Sequence, residues 1–198
     1  MDTMNMIQFT TTKWFIVISL LAVILIVAGI ELGLGRSLLG PDGKFGWWDG
    51  NIFGSENSQR LVDAYSLTHV IHGIIFYALL WAAAQRLPAR YRFMVALIIE
   101  GAWEILENSS FIINRYREAT VSQGYYGDSI LNSSSDILMM SIGFLMAYRL
   151  RPRISAVIIL FIELVLLLWV RDNLSLNLIM LIHPIDAIKA WQSALQPY

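Results

Sequence analysis

Three glutamates, Glu100, Glu104 and Glu107, recur at i, i+4 and i+7 inside an otherwise apolar stretch. A helix stacks residues at that spacing on one face, and carboxylates so stacked repel one another unless a proton or a cation is shared. His69 and His72, three residues apart, also share one face, and Asp128, Asn132 and Asp136 repeat every four residues as a third stripe. Two imidazoles and a carboxylate around an open water position form a known catalytic zinc arrangement. His69, His72 and Glu100 are therefore the candidate ligands of a divalent metal such as zinc, or a proton shuttle. Glu104 and Asp128, with Glu107 beside them, are the candidates for general acid and base. Arg115, Arg117 and Arg171, with Asn132, are the candidates for holding an anionic head group, which guanidinium does through bidentate contacts. No recognisable serine-nucleophile motif is present, and the absence of cysteine excludes thiolate, disulfide and iron–sulfur chemistry.

Each stripe also has a purely structural explanation. The glutamates could be a buried ion-pair face for Arg115 and Arg117, since a buried charge must find a partner. The HxxH pair could be a satisfied helix-packing contact. Asn57, Asn108, Asn132 and Asn173 are most simply helix caps or supporting donors.

The elements that must position these residues are membrane helices. Of the 198 residues, 57% are hydrophobic and 15% charged, against roughly 25% charged in soluble domains. Windows of about 20 apolar residues mark bilayer spans, and five are expected: 14–34, 66–84, 93–106, 130–148 and 154–170. The first is too long for a signal-peptide core and lacks a small-residue cleavage site, so it is expected to remain as an anchor. Residues 174–191 are apolar but interrupted by Pro184, Asp186 and Lys189, which suits an interfacial helix better than a sixth span. The expected fold is all-α, one integral membrane domain over 1–198, a polytopic transmembrane helix bundle. A net charge of −1 provides no basic stripe for nucleic acid; the expected surroundings are membrane lipids.

Orientation follows from basic residues in short connectors. Arg86, Arg90 and Arg92 follow the second span, and Arg149, Arg151 and Arg153 follow the fourth. Both connectors are expected in the cytoplasm, with the N-terminus, which leaves 35–65 and 108–127 outside, in the periplasm of a bacterial inner membrane. Trp47, Trp48, Tyr116, Tyr125 and Tyr126 suit a membrane–water boundary there. At 1.5 Å per residue, Glu100 lies roughly 10 Å below Glu107 and Asp136 roughly 12 Å below Asp128. Every polar stripe thus falls in the outer half of the membrane, where an ionisable side chain is a functional-site hypothesis by default.

Several segments are distinctive: Ser55-Glu56-Asn57-Ser58-Gln59, His69-x-x-His72-Gly73, Trp103 to Ser109, Arg115 to Thr120, Gly127-Asp128-Ser129-x-x-Asn132-Ser133, and Arg171-Asp172-Asn173-Leu174-x-Leu176-Asn177 through Met180 to Pro184. Together, over roughly 45–192, they resemble a proteobacterial inner-membrane family of uncharacterised multi-pass proteins, which implies a location and no activity. A second, shorter similarity is to the VanZ-like membrane proteins, where a Glu in one span, an Arg in the next loop and an Asp-x-x-x-Asn or Gly-containing helix recur in order. Glu104 or Glu107, Arg115 or Arg117, then Asp128-x-x-x-Asn132 and Asp136 with Gly143 would fill those roles. The HxxH pair and the long first loop depart from that pattern.

Two classes of function follow. One is a hydrolase or transferase that acts on a lipid-linked or envelope substrate in an outward-facing polar pocket. The other is a non-catalytic assembly or binding subunit of an envelope complex, whose polar cluster only holds the loops. A transporter would need a polar path through the cytoplasmic half, and stretches 74–84, 95–99 and 138–147 offer almost none.

Overall fold

A computed structural model describes residues 3–120, 122 and 124–195, with side chains from Lys13 onward. Helix α1, Thr3–Gly33, is followed by a long loop whose regular structure is a pair of two-residue parallel strands, β1 (Trp48–Asp49) and β2 (Val62–Asp63). Helices α2 (Ser66–Ala83) and α3 (Ala89–Glu107) come next. A short helix α4 (Ser110–Ala119) precedes α5 (Ile130–Arg149) and α6 (Pro152–Val170), and α7 (Leu174–Ile182) and α8 (Asp186–Ser193) end the described chain. The architecture is the expected all-α bundle.

Four segments are long and apolar enough to cross a membrane: Lys13–Gly33 of α1, and helices α2, α5 and α6. Helix α3, expected as a fifth span, has 19 residues and so the needed length, but Arg90, Arg92 and its three glutamates take it out of the apolar class. It runs beside the apolar helices with its acidic face turned inward. The outward sides of α1 and α6 are bare hydrocarbon; Leu25 is 70% and Leu168 75% exposed. Exposed apolar surface on this scale belongs against lipid or a partner, not water. At 1.5 Å per residue, α7 with 9 residues and α8 with 8 span only about 13 Å each. Pro184 parts them, so residues 174–191 hold no single helix long enough to cross a membrane.

The closest packing is between α2 and α5. A Cβ on Gly73 would stand 2.0 Å from the Met140 carbonyl oxygen, and one on Gly143 2.0 Å from that of Val70. Only glycine permits that approach, the usual device of small residues at membrane helix contacts. On either side of the seam lie two apolar clusters, one around Ile71, Ile74 and Leu166, the other around Leu97, Ile137 and Phe144. At Gly101, α3 meets Val23 and Val27 of α1.

Helix α4 lies where a loop was expected. Its start is set by Ser109, whose hydroxyl accepts from the Ile112 amide, a standard N-cap. Glu163 reaches from α6 to start α7, its two oxygens accepting from the amides of Leu174 (2.9 Å) and Ser175 (3.2 Å).

Candidate functional site

The first half of α2, the last half of α3 and the first half of α5 run side by side, so the three polar stripes meet at one end of the bundle. Local chemistry fixes the starts of α2 and α5. Asp63 accepts from the backbone amides of Ser58 (2.9 Å), Tyr65 (2.8 Å) and Ser66 (3.0 Å), which anchors the entry to α2. Ser129 caps α5, accepting from the Asn132 amide.

His69 Nδ1 lies 2.6 Å from a carboxylate oxygen of Glu100 and 3.4 Å from one of Glu104, and its Nε2 lies 3.8 Å from Asp136. His72 Nδ1 stands 3.2 Å from the second oxygen of Glu100. The imidazole rings meet edge to face with centroids 4.9 Å apart, and Trp103 packs against His72. Glu100 and Glu104 have no exposed surface, and Asp136 is nearly as buried. Both oxygens of Glu104 and one of Asp136 lack a hydrogen-bond partner, a state that costs free energy unless a cation or proton compensates.

Potential ligand atoms of His69, His72 and Glu100 lie within 4.8 Å of one another, as do those of His69, Glu104 and Glu107. Ligand atoms on a tetrahedral metal with bonds of about 2.0–2.2 Å stand roughly 3.3–3.6 Å apart. The His72–Glu100 separation is close to that, and the His69–Glu100 contact would have to open by somewhat less than 1 Å. The donor types fit a divalent ion of the zinc kind.

Asn108, just past α3, organises the outer part of the site. Its side-chain carbonyl accepts from the Asp128 amide (2.7 Å). Its Nδ2 lies 3.1 Å from oxygens of Glu31 and Asp128 and 3.2 Å from the Ser133 hydroxyl. The Tyr125 hydroxyl donates to the other oxygen of Asp128 at 2.9 Å. Burial raises Asp128 to about 6, against the pull of the Tyr125 hydrogen bond, while the nearby Asp63 pushes in the same direction as burial. The hydroxyls of Tyr65, Tyr116 and Tyr125 are all raised well above their usual value, chiefly by burial.

These groups border a partly open cavity. His69, His72, Glu107, Asp128, Asn132 and Asp136 line it, with aromatic surface from Trp103 and the three tyrosines. Glu100 and Glu104 sit behind His69. Leu174 and Asn177 of α7 close one side, and α7 is held to α4 by Tyr116, whose hydroxyl lies 3.2 Å from the Asn177 side-chain oxygen.

The three arginines expected to bind a head group are not among the cavity-lining residues. Arg115 donates to the backbone carbonyls of Leu181 (2.8 Å) and Ile182 (3.4 Å). Arg117 donates to the Tyr125 carbonyl. Arg171 donates to the Trp191 carbonyl at 2.9 Å and lies over that indole ring. Carbonyls exposed at helix ends and loops are what guanidinium satisfies here. Asn132, by contrast, lies at the wall, with its Nδ2 donating to the Arg60 carbonyl at 3.0 Å.

Tyr116 and Tyr125, expected at a membrane boundary, turn their hydroxyls to Asn177 and Asp128 instead. Spacing could not reveal this, because the partners are brought by α7 and by the segment before α5. Glu31, at the end of α1, reaches the network through Asn108, a contact that no local spacing signals.

Proteins related to this one span nearly its whole length. It is 46% identical over 173 residues to a UPF0314 protein of Paracoccus denitrificans, covering 87% of this chain and 90% of the relative. It is 45% identical over 183 residues to a UPF0314 protein of Sphingopyxis alaskensis, covering 92% and 95%. A UPF0314 protein of Brucella anthropi is 47% identical over 161 residues, 81% of this chain and 82% of that one. No solved structure matches. Residues 31–194, which hold every group of the cavity, match the family described as protein of unknown function (DUF2585), and the chain belongs to that family.

Proposed function

We propose that the protein is a multi-pass inner-membrane hydrolase or transferase acting on a lipid-linked or envelope substrate, in a cavity that opens toward the periplasm. The observation that carries this is the convergence of His69, His72 and Glu100 beside unpartnered carboxylate oxygens of Glu104 and Asp136. Purely structural ion pairing leaves few such oxygens over. A divalent ion held by His69, His72 and Glu100 would polarise a substrate oxygen as a Lewis acid. Asp128, held by Tyr125 and Asn108 and titrating at about 6, is poised to take a proton near neutral pH. Glu104 and Glu107 are the candidates for returning it. Asn132 orients substrate from the wall, while Arg115, Arg117 and Arg171 serve the fold. The arginine-rich connectors 84–92 and 149–153 support a cytoplasmic N-terminus and, with it, a cavity at the opposite face.

The competing assembly-subunit reading draws support from those arginines, each spent on a backbone carbonyl. Lipid analysis of cells separates the two. In a strain lacking the gene, a wild-type copy should restore the lipid and envelope-precursor profile, whereas Glu104→Gln or Asp128→Asn, present in the membrane at normal level, should leave the deletion profile. Full restoration by both variants would exclude the enzyme reading.

A further inference from the structure

We propose that the cavity recognises an ammonium group, so that the head group it receives carries an amine rather than presenting a phosphate or carboxylate as its recognised charge. This rests on the reading of the cavity as a substrate site.

Charge is the first reason. Glu107, Asp128, Asp136 and Asp63 lie on the wall, and among the described residues no lysine or arginine lines it. With Glu100 and Glu104 behind His69, carboxylates outnumber the imidazoles three to one. A dication on the histidines would offset only part of that. An incoming anion would find no lysine or arginine to meet it, only hydroxyls, amides, imidazoles and the Trp103 indole, whereas an ammonium brings a full positive charge and three donors to unsatisfied acceptors.

A specific acceptor is available. Asp136 is 4% exposed, lines the cavity and has one oxygen with no hydrogen-bond partner, while its other oxygen lies 3.8 Å from His69 Nε2. Asp63, by contrast, is occupied by its three amides, and Asp128 by Tyr125 and Asn108. Glu107 adds a second, half-buried carboxylate.

Aromatic lining is the third reason. Trp103, Tyr65, Tyr116 and Tyr125 border the same space, and ring faces attract cations once water is excluded. A neutral polyol could donate a hydroxyl to the Asp136 oxygen but would bring no positive charge to it.

The test uses full-length protein in a non-ionic detergent near neutral pH. Thermal unfolding is followed at matched ionic strength with ethanolamine, glycerol or glycerol 3-phosphate. Ethanolamine should raise the melting temperature saturably and the other two should not. Asp136→Asn should raise its half-saturating concentration roughly tenfold or more, the scale of one charged hydrogen bond; if that variant does not fold, Glu107→Gln should show the same loss. A larger saturable shift with glycerol 3-phosphate, equal shifts with all three, no shift with ethanolamine, or an unchanged response in the folded variant would overturn the inference. Metal content of the same samples keeps the two proposals apart. Ethanolamine selectivity without bound metal would sink the metal-assisted chemistry and leave amine recognition standing; bound metal without that selectivity would do the reverse.

Discussion

His69 Nδ1 and a carboxylate oxygen of Glu100 lie 2.6 Å apart, joining α2 to α3 across a contact with almost no exposed surface. Around this pair stand Glu104 and Asp136, so His69 is a group of opposite potential charge shared by three acids. Replacing His69 with alanine should destabilise the protein by several kcal/mol, on the order of 3–5, as read by thermal unfolding in detergent. Adding Glu100→Gln to that variant should recover part of the loss, because one unpartnered charge disappears. A His69→Ala protein as stable as wild type would mean that the acids need no partner at this position.

The α2–α5 seam predicts a sharp contrast between glycines. Gly73→Ala forces a methyl to within 2.0 Å of the Met140 carbonyl oxygen, so the helices must separate, at a cost of about 1–3 kcal/mol or more. Gly29→Ala in α1 meets nothing within 4 Å and should be neutral or slightly stabilising. Equal melting temperatures for the two variants would contradict the packing described.

Burial that raises Asp128 from 3.8 to about 6 also fixes the sign of a pH effect. A carboxyl whose proton is held more tightly when folded favours folding fully below its unfolded value, and that stability is lost as pH rises to its folded value. In the presence of a chelator, wild type should therefore lose up to about 3 kcal/mol relative to Asp128→Asn between pH 4 and pH 7. A flat difference across that range, or one of opposite sign, would show that Asp128 is not buried in this way.

How much of this was legible beforehand depends on whether the partners are local. Helical spacing alone grouped Glu100 with Glu104 and His69 with His72, and lipid's intolerance of charge turned each stripe inward, so the cluster could be anticipated. Arg115, Arg117 and Arg171, expected at a head group, each donate to a backbone carbonyl; a guanidinium suits a carbonyl as well as a phosphate, and only tertiary structure shows which is nearer. Helix α3 was expected as an ordinary span because its apolar residues were counted, while its acidic face, sheltered by α2 and α5, keeps it out of the apolar class. Asn108 could be recognised as a capping residue, yet its bridge between Glu31 and Asp128 joins residues 77 and 20 positions away, which no periodicity encodes.

Topology has its own check. Reporter fusions after Arg90 and after Arg151 should report the cytoplasm, and one near Glu118 the periplasm. The reverse pattern would put the cavity on the cytoplasmic side and remove envelope precursors from the candidate substrates.

The most direct measurement is metal content. Full-length protein equilibrated with zinc and then dialysed should retain roughly one ion per chain, and His72→Ala and Glu100→Gln, each shown to remain folded, should retain far less, since each removes a ligand. No stoichiometric ion in wild type, or retention unchanged in both variants, would contradict a metal at His69, His72 and Glu100 and with it the chemistry assigned to this cavity.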